Sequence, residues 1–392
     1  MTPAARVAAA IAVLDEVLAG KPAEQALTNW ARRSRFAGAK DRAAVRDHVF
    51  DALRSRRSLA ALGGAETGRG LMLGLCRRSG PDPAEVFAGV LHGPEPLSGT
   101  ERGDGRAPQG DAERLDMPDW LWPRLLAGLK EKAAPVAAAL QQRAPVHLRV
   151  NLGKAGRARA MASLRDNGVE CVAHPAADTA LEVVSGQRRI RQSGAYLSGM
   201  VELQDAASQA VVAGLPLRDG MAVLDYCAGG GGKALAMAAR ARIVLHAHDA
   251  APERMRDLPG RAERAGVPVV CLDGEALAAH APFDLVLCDV PCSGSGAWRR
   301  APDGKWRLSA ARLDELAGIQ AAILDRAAGL VAPAGSLAYV TCSLLEEENS
   351  GRIAAFLKEH PGWVCTSQRT WTPLDRTDGF FAALLTREGA AI

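Results

Sequence analysis

Two cysteines lie in short motifs that each follow an apolar run. Cys292 belongs to DVPCSGSG (289–296), and Cys342 belongs to VTCS (340–343). The runs before them, FDLVLCDV and SLAYVT, are typical of buried strands. A thiolate is a strong nucleophile that forms covalent intermediates with electrophilic carbons. The two motifs therefore predict a site in which one thiol acts as a nucleophile and the other assists it.

Methyl transfer to an unreactive pyrimidine carbon is the chemistry that needs such a thiol. Carbon five of cytosine is a weak nucleophile and does not attack a methyl sulfonium unaided. Addition of a thiolate to carbon six converts the ring to an enamine and places electron density on carbon five. After methylation, a base must remove the carbon-five proton so that the thiol can leave. Hydride transfer, in contrast, needs no pair of cysteines.

Asp289 is the acid that the same motifs offer. It ends the run FDLVLCD and is placed to address N3 of the ring, where protonation or hydrogen bonding favours thiolate addition. To donate a hydrogen bond there, the carboxyl group must keep its proton near neutral pH, which requires surroundings that disfavour charge. Asp289 is therefore a predicted catalytic residue beside the two cysteines.

Cys342 is followed by a pattern typical of a helix start. Ser343 and Glu346 match a capping box at a helix that begins near Leu344. Cys342 would then lie at the positive end of the helix dipole, which favours the thiolate. The acidic run EEE that follows opposes this effect, and the sequence leaves the balance open.

A glycine-rich run, DYCAGGGGKALAMAA (225–239), joins an apolar strand to a helical pattern. Its glycines allow a tight turn that brings backbone N–H groups close to a ligand at the helix start. The run is not a Walker A loop, because Ala234 follows Lys233 and offers no hydroxyl for magnesium. Cys227 also occupies the place of the first glycine of that motif.

Two classes of nucleotide-like ligand remain for this loop. Gly229, Gly231 and Ala234 match the G-x-G-x-x-[GA] pattern of dinucleotide sites. Asp249 closes the next strand and suits a ribose hydroxyl, but dinucleotides and S-adenosylmethionine both carry a ribose. Asp273 ends the third strand and either faces the adenine edge or caps a helix. The pair of cysteines favours S-adenosylmethionine, since hydride transfer does not need it.

The elements that must position these residues begin at about Met221, where short apolar runs alternate with helical segments. This alternation predicts an α/β fold, a doubly wound, mostly parallel, Rossmann-like sheet with helices on both faces. Ligands of such sheets bind outside the carboxyl ends of the strands, where both cysteine motifs stand. The runs are MAVLDY, RIVLHAH, VPVVCL, FDLVLCDV and SLAYVT.

The chain is predicted to divide into three domains and a linker. Residues 1–92 show helical periodicity without strand-like alternation, which predicts an all-helical domain. Residues 93–113 are dense in Gly and Pro and predict an exposed linker. Residues 114–200 combine two helices with a strand, a helix and a strand, which predicts a small α+β module. Residues 201–392 contain the Rossmann-like domain.

Composition favours a globular protein of the reducing cytoplasm. The chain has 392 residues with 48% hydrophobic and 23% charged residues, which fits two or three packed units. Its eight cysteines include no C-x-x-C pair, so neither a disulfide framework nor a cysteine zinc site is predicted. No apolar run reaches the length of a membrane span, and no signal peptide is recognised. His246 and His248 share a strand face but lack a third ligand nearby, so no metal is predicted.

Charge is concentrated more than the formal net charge of +4 indicates. Between Thr28 and Ser58 there are nine Lys or Arg residues and three acidic ones, so this stretch has a local excess that suits a phosphate backbone. A solvated helical face is the alternative interpretation.

Together these motifs resemble those of the Sun/Nop-type RNA cytosine-C5 methyltransferases, and most closely the bacterial RsmB type that acts on small-subunit ribosomal RNA. The stretches that carry the resemblance are ELQDAASQ (202–209), DYCAGGGGK (225–233), DVPCSGSGAWRRAPDGKW (289–306), VTCSLLEEEN (340–349) and DGFFAALLTR (378–387). They span most of the chain from residue 202 to residue 387.

The resemblance implies roles that spacing alone does not assign. Cys342 is the implied nucleophile at carbon six, Cys292 the implied helper in product release, and S-adenosyl-L-methionine the implied methyl donor. Arg299, Arg300 and Lys305 are implied RNA phosphate contacts. The residues that match the family's contacts to the methyl donor are Cys227, Ala228, Gly229, Gly230, Gly231, Gly232, Lys233, Asp249, Asp273 and Asp289.

The glycine loop departs from the family pattern C-A-A-P-G-G-K. Gly229 and Gly230 stand where alanine and proline are usual. Loss of the proline is expected to loosen the loop and to weaken its preorganisation by up to about 1 kcal/mol.

RNA is the implied partner. Residues 1–92 look like the NusB-like helical RNA-binding domain of the RsmB type, with GAKDRAAVRDHVFDALRSRRSL as the resembling piece, and residues 114–200 resemble the family's α+β RNA-binding module. Small-subunit ribosomal RNA is the expected substrate and the enzyme is expected to be a monomer. The alternatives are a transfer RNA methyltransferase and a catalytically silent assembly factor. A silent relic would be expected to lose a cysteine or Asp289, and all three are present.

Overall fold

The computed structural model describes residues 1–103 and 105–389, which form two compact units. The first unit contains Met1–Arg143 and the short stretch Ala297–Ser309. The second contains Ala144–Gly296 and the chain from Ala310 onward. Residue 104 of the predicted linker and residues 390–392 of the predicted Rossmann-like domain lie outside the described residues.

The first unit is helical from its start, as the periodicity predicts. Thr2 caps the first helix by accepting a hydrogen bond from Ala5 N at 3.2 Å. The predicted apolar positions Val45, Val49 and Leu53 are buried in the core of the unit. Its first helices are α1 (Pro3–Leu18), α2 (Ala23–Arg33), α3 (Ala39–Arg54), α4 (Arg56–Gly63), α5 (Gly68–Ser79) and α6 (Pro83–Val86).

The predicted linker is mostly exposed and contains two five-residue helices, α7 (Gly99–Gly103) and α8 (Gly110–Arg114). The two helices predicted between Trp120 and Gln142 are confirmed as α9 (Trp122–Leu129) and α10 (Ala133–Leu140), separated by a 3-10 turn.

The second unit begins with an antiparallel sheet of strand order β2-β3-β1-β4. The predicted strand, helix and strand are confirmed here, and Leu148, Leu164 and Leu181 are fully buried between them. The strands are β1 (Val146–Val150), β2 (Glu170–Ala173), β3 (Ala180–Ser185) and β4 (Val201–Leu203), and the helix is α11 (Arg157–Asp166).

The larger sheet has the order β10-β11-β9-β8-β5-β6-β7, and strands β5 to β9 are parallel. The predicted Rossmann-like α/β fold is therefore confirmed, with an antiparallel pair added at one edge. The strands are β5 (Ala222–Asp225), β6 (Val244–Ala247), β7 (Val270–Cys271), β8 (Phe283–Asp289), β9 (Val331–Thr341), β10 (Trp363–Trp371) and β11 (Phe380–Arg387).

Helical residues pack with the strands of this sheet in two hydrophobic clusters, one with Leu324 and Phe356 and the other with Val211 and Met237. Packing in two clusters explains why the strands are apolar on both sides. The helices after α11 are α12 (Gly194–Leu197), α13 (Ala206–Ala213), α14 (Gly232–Ala238), α15 (Leu258–Ala265), α16 (Ala276–His280), α17 (Asp303–Arg307), α18 (Ala310–Ala328) and α19 (Ser350–Glu359). Among the residues that the structure describes, no helix is both long and apolar enough to cross a membrane.

Register brings the chemistry-bearing loops together. Asp289 at the end of β8 lies opposite Val340 on β9, and Asp225 at the end of β5 lies opposite Leu287 on β8. Because these parallel neighbours end at the same edge, the loops that follow them share one site.

Residues 297–309 follow the Cys292 motif in sequence but pack within the first unit. The indole of Trp306 donates to Leu53 O at 2.7 Å, and Arg54 Nε donates to Arg299 O at 2.7 Å. Lys305 is 1% exposed, and burial lowers its pKa to about 8 despite the opposing charge of Asp116. The side chains of Arg299 and Lys305 are buried, which differs from the exposed phosphate contacts expected from the sequence.

Candidate active site

The two cysteines predicted to work together are brought into contact. Cys292 Sγ and Cys342 Sγ lie 3.4 Å apart, in the loops that follow β8 and β9. Gly296 N donates to Cys342 O at 2.9 Å and closes the first loop onto the second. A side chain at Gly296 would place its Cβ 2.0 Å from Gly379 O, so this close approach of two loops requires glycine.

A buried glutamate, Glu348, joins both cysteine loops through hydrogen bonds. Glu348 is 0% exposed and accepts hydrogen bonds from Ser293 N at 2.8 Å and Ser293 Oγ at 2.5 Å. The same carboxylate accepts from Ser343 Oγ at 2.5 Å and from Gln320 Nε2 at 3.0 Å. Since Ser293 follows Cys292 and Ser343 follows Cys342, one carboxylate fixes the spacing of both thiols.

The predicted helix start after Cys342 is wrong. Glu346–Glu348 form a 3-10 turn without a side-chain cap, and α19 begins only at Ser350. The hydroxyl of Ser343, predicted to cap that helix, instead donates to Glu348 and accepts from Leu345 N at 3.0 Å. Ser343 therefore binds the buried Glu348 and does not cap a helix. Cys342 does not lie at a helix terminus.

Cys292 is the thiol that keeps its proton. The hydrogen bond with Cys342 is the main cause that raises the Cys292 pKa well above its usual value, followed by burial and the charge of Glu348. A protonated Cys292 donates to Cys342 Sγ, which suits Cys342 as the nucleophilic partner.

Lys233 and Asp289 form an ion pair at the edge between the glycine loop and β8. Lys233 Nζ donates to Asp289 Oδ2 at 2.7 Å, and the ammonium lies 5.1 Å from the centre of the Phe380 ring. Burial alone lowers the Lys233 pKa, but the carboxylates of Asp289 and Asp225 outweigh it and the pKa is raised. The raised pKa keeps Lys233 charged, so the lysine is the donor in this pair.

Asp225 is a third acid at this edge, which the sequence reasoning did not single out. Burial is the main cause that raises its pKa to about 7, and the nearby charge of Asp289 adds to it. Its Oδ1 atom is buried without a hydrogen-bond partner among residues 1–103 and 105–389. An unpartnered buried oxygen of this kind suits a donor group on a bound ligand.

The glycine loop has the open backbone that the sequence predicts. Gly229 and Gly231 have φ values of 48° and 78°, in the left-handed region that favours glycine, and α14 starts at Gly232. A Cβ on Gly229 would have no neighbour closer than 3.6 Å, so the loop leaves space above it. Gly230 O accepts a hydrogen bond from Arg261.

The flanking loop residues fill different roles. Ala228 is buried, and its N–H donates to His248 O at 2.8 Å, which ties the loop to the end of β6. Cys227 is half-buried, and burial followed by the charges of Asp225 and Asp249 raises its pKa, so it remains a neutral thiol.

The two predicted ribose and adenine ligands have separate partners in the structure. Asp249 is 4% exposed, accepts from Gly229 N at 3.0 Å, and pairs with Arg254 at 3.2 Å. It therefore shapes the glycine loop directly. Asp273 accepts from Ala276 N at 2.8 Å at the start of α16, which is the helix-capping contact that the sequence left as an alternative.

These residues fit S-adenosylmethionine. The orphan oxygen of Asp225 suits an amino group, the open glycine turn suits close backbone approach, and Asp249 lies at the end of β6 where ribose is bound in this class of sheet. The neighbouring thiols add the nucleophile that a methyl acceptor needs.

Comparison with known proteins finds family models that match the stretch of chain in which these residues lie. A family model described as 16S rRNA methyltransferase RsmB/F matches residues 212–386, and the ferredoxin-like domain of RsmF/B-like methyltransferases matches residues 117–188. The first match contains both cysteines, Lys233 and Glu348.

Curated relatives extend this similarity. A ribosomal RNA small subunit methyltransferase B of Klebsiella pneumoniae is 34% identical over 68% of this chain and 65% of its own length, just under two thirds. The protein of that name from Sodalis glossinidius is 35% identical over 72% of this chain and 69% of its own length. The crystal structure of PH0851 superimposes with a TM-score of 0.75 at 24% identity, covering 99% of both chains. This last similarity concerns the fold.

Proposed function

Because the chain belongs to the RsmB/F family of 16S rRNA methyltransferases, we propose that it transfers a methyl group from S-adenosylmethionine to carbon five of a cytosine in small-subunit ribosomal RNA. The names of the Klebsiella and Sodalis relatives support ribosomal RNA as the substrate class. We further propose that the enzyme acts in the cytoplasm as a monomer.

The observation that carries the reaction is the 3.4 Å contact between the Cys292 and Cys342 thiols. A methyltransferase that acts on exocyclic nitrogen or oxygen needs no thiol, whereas carbon-five methylation needs one as a transient nucleophile. The buried brace of Glu348 keeps the pair in register without tying up either sulfur.

Cys342 is the proposed nucleophile. Its sulfur forms a bond to carbon six of the cytosine, and the electrons of the carbon five to carbon six double bond move towards N3. The Lys233 and Asp289 pair supplies the proton that N3 needs, because the ammonium already donates to Asp289 at 2.7 Å. Addition thus leaves an enamine whose carbon five is nucleophilic.

S-adenosylmethionine, when bound, supplies the methyl group on a positively charged sulfonium that carbon five attacks. The chain's own contribution is to hold the donor side in place. Asp249 fixes the glycine turn by accepting a hydrogen bond from Gly229 N at 3.0 Å. The buried Asp225 offers an Oδ1 atom that has no hydrogen-bond partner among the described residues.

Cys292 is the proposed helper in release. As the bond between Cys342 sulfur and carbon six breaks, the Cys292 thiol gives its proton to the departing sulfur over 3.4 Å. The resulting Cys292 thiolate accepts the carbon-five proton while N3 returns its proton to the Lys233 and Asp289 pair. These two transfers restore the aromatic ring and the starting protonation of Cys292. Its raised pKa suits this double duty, because a strongly basic thiolate is a better proton acceptor.

Bisulfite sequencing of small-subunit ribosomal RNA tests the proposal. Wild type is expected to protect one or more cytosines from conversion, and Cys342→Ala is expected to protect none. Cys271→Ala, at an exposed cysteine on β7, is the matched control and is expected to act as wild type. Full product from Cys342→Ala would exclude this residue as the nucleophile.

Covalent trapping tests the second thiol. Cys292→Ala is expected to accumulate a protein–RNA adduct, seen as a slow band on a denaturing gel, because addition proceeds and release does not. An adduct with Cys342→Ala but not with Cys292→Ala would reverse the two roles. Parallel reactions with transfer RNA separate the two RNA classes.

The parts proposed to bind RNA are the helical region 1–92 and the module 114–200. Arg32, Arg35 and Lys40 are exposed on the first unit, whereas Arg33 and Arg46 pair with Glu16 and Glu24. Filter binding of the double variant Arg32→Glu/Arg35→Glu is expected to show weaker RNA affinity and a shallower salt dependence. Unchanged affinity would remove this surface from the proposal.

A further inference from the structure

A second cluster of potential ligand atoms lies in the small antiparallel sheet, outside the site described above. His147 is on β1, His174 follows β2, and Glu182 is on β3. One imidazole nitrogen of each histidine and a carboxylate oxygen of Glu182 all lie within 4.8 Å of one another.

Sheet register, not sequence proximity, assembles these three residues. His147 lies directly opposite Glu182 in the antiparallel pairing of β1 with β3. His174 N donates to Ala180 O at 3.0 Å, which sets it beside the same stretch of β3. Side chains on β1, on β3 and at the residue that follows β2 are therefore brought to one point on the same face of the sheet.

Both histidines have a buried nitrogen that lacks a partner. His147 and His174 are each 2% exposed, and in both the Nε2 atom makes no hydrogen bond in the part of the chain that the structure describes. Burial of an unsatisfied polar atom is costly, and two such atoms in one cluster indicate a ligand between them.

A carboxylate orients one of the imidazoles. His147 Nδ1 lies 3.0 Å from Asp205 Oδ2 and 3.3 Å from Ala206 N. Because a carboxylate only accepts hydrogen bonds, the shorter contact places the ring proton on Nδ1. Asp205 is itself fixed by bonds from Ala207 N at 2.8 Å and Asp378 N at 3.1 Å. An imidazole that donates Nδ1–H to a carboxylate presents the lone pair of Nε2, and metal-binding histidines characteristically have such a second contact.

We propose that His147, His174 and Glu182 bind a zinc-type transition-metal dication. Two neutral imidazoles and one carboxylate form a donor set that zinc accepts, with water at the fourth position. Glu182 can ligate through one oxygen while Oε2 keeps its 2.5 Å bond from Arg376. The metal would link three strands of a sheet whose strands are three to six residues long, so its role is to stabilise this module.

Two local adjustments accompany binding. The separations, which are at most 4.8 Å, must shorten to about 3–3.5 Å around a tetrahedral zinc where they exceed it, and side-chain rotation supplies this change. His174 Nδ1 accepts from Ala176 N at 3.2 Å, so its ring proton is on Nε2 without metal. On binding, that proton moves to Nδ1 and the contact with Ala176 is given up, with no net change in protonation. A buried water is the competing occupant, since it bridges groups up to 4.8 Å apart without either adjustment.

The test uses the full chain without an affinity tag, stripped with a chelator and titrated with Zn²⁺ or Co²⁺. About one equivalent is expected per chain, with visible Co²⁺ absorption and a higher unfolding temperature in the presence of zinc. His174→Gln and Glu182→Gln are expected to lose the equivalent. Asp205→Asn, which alters the orienting carboxylate, is expected to weaken affinity by about 10-fold to 100-fold.

Controls separate this site from other histidines and from the thiols. His246→Gln replaces a buried histidine outside the cluster, whose ring lies 5.3 Å from that of His280, and is expected to keep the full equivalent. The double variant Cys292→Ala/Cys342→Ala is also expected to keep it. Unfolding temperatures in chelator identify any variant that fails to fold.

Three results would overturn the proposal. Wild type that takes up no metal would assign the cluster a bound water only. Full stoichiometry in His174→Gln and Glu182→Gln would place the metal elsewhere. Loss of the equivalent in the double cysteine variant, with thiolate charge-transfer bands in the Co²⁺ spectrum, would assign it to the thiol pair.

Discussion

The cysteine side and the glycine side of the site are stabilised in different ways. On the cysteine side, the buried carboxylate of Glu348 accepts four hydrogen bonds, three from Ser293 and Ser343 in the two cysteine loops and one from Gln320 in α18. On the glycine side, Asp249 holds a loop whose positive-φ glycines leave space above it. The thiols are thus fixed by a buried side chain, while the donor side is an open turn of glycines. Lys233 and Asp289 join the two sides.

Removing the ion pair of Lys233 with Asp289, which joins the two sides, should have the largest effect on the methylation rate. Lys233→Met removes the ammonium that donates to Asp289, so N3 loses its proton source and the rate should fall by about 10³-fold or more. Methylation rates measured at saturating RNA and methyl donor give this value. Lys358→Met, at an exposed lysine on α19, is the control and should keep the wild-type rate. A Lys233→Met rate within 10-fold of the wild-type rate, a difference of less than about 1.4 kcal/mol in activation free energy, would rule out this role.

Weakening the brace should have the next largest effect. In Glu348→Gln the amide nitrogen faces hydroxyl groups that now donate to the carboxylate, so the two loops separate slightly and the rate should fall by about 10-fold to 100-fold. Removal of the negative charge should also lower the Cys292 pKa, since Glu348 helps to raise it. The pH dependence of Cys292 alkylation, followed by peptide mass spectrometry, measures that shift. A slower enzyme with an unchanged alkylation profile would assign Glu348 a purely structural role.

Asp225 gives the glycine side a pH dependence of stability. Burial first, and then Asp289, raise its pKa from 3.8 to about 7, so the folded state keeps a proton that the unfolded state has lost between these values. The contribution of Asp225 to the free energy of unfolding is fully present below about pH 4 and is lost as the pH rises through 7. The loss between pH 5 and pH 8 is about 2–3 kcal/mol. Asp225→Asn should lack that part of the slope. Urea unfolding at both pH values measures it, and equal slopes in the two proteins would contradict the assignment.

Replacing a glycine of the glycine loop by proline should have the smallest effect on stability and on binding of the methyl donor. Gly230→Pro restores the proline of the family pattern, and a Cβ there would meet only the guanidinium end of Arg261, at 3.0 Å. We expect a gain of about 0.5–1 kcal/mol in stability, because proline restricts the unfolded chain, and slightly tighter binding of the methyl donor. Thermal unfolding and calorimetry measure the two quantities. Gly229→Ala is the contrasting variant and should destabilise, because φ is +48° there.

The large parallel sheet could be predicted because its strands are buried on both faces and read as apolar runs. FDLVLCDV and SLAYVT correspond to β8 and β9, and the motifs after them placed both cysteines at the correct edge. The residue types also predicted the glycine turn. These signals are local, so a single sequence contains them in full.

What could not be predicted depends on contacts between distant residues. The acidic run at 346–348 has the pattern of a helix start, and nothing local shows that Glu348 turns inward to bind Ser293. The pairing of Lys233 with Asp289 and the burial of Asp225 likewise follow from strand neighbours. The cluster of His147, His174 and Glu182 was missed because its members meet only through sheet register.

The path of residues 297–309 limits how the protein can be divided. This stretch leaves the catalytic loop after Gly296, inserts Trp306 and Lys305 into the first unit, and returns at Ala310. A shortened chain that starts after Arg143 would lose the surroundings of an indole and a buried amine, and would expose them to solvent. Such a fragment should therefore be prone to aggregate. For the same reason, replacing residues 1–143 by recombination at a single point would also require compatible substitutions in residues 297–309.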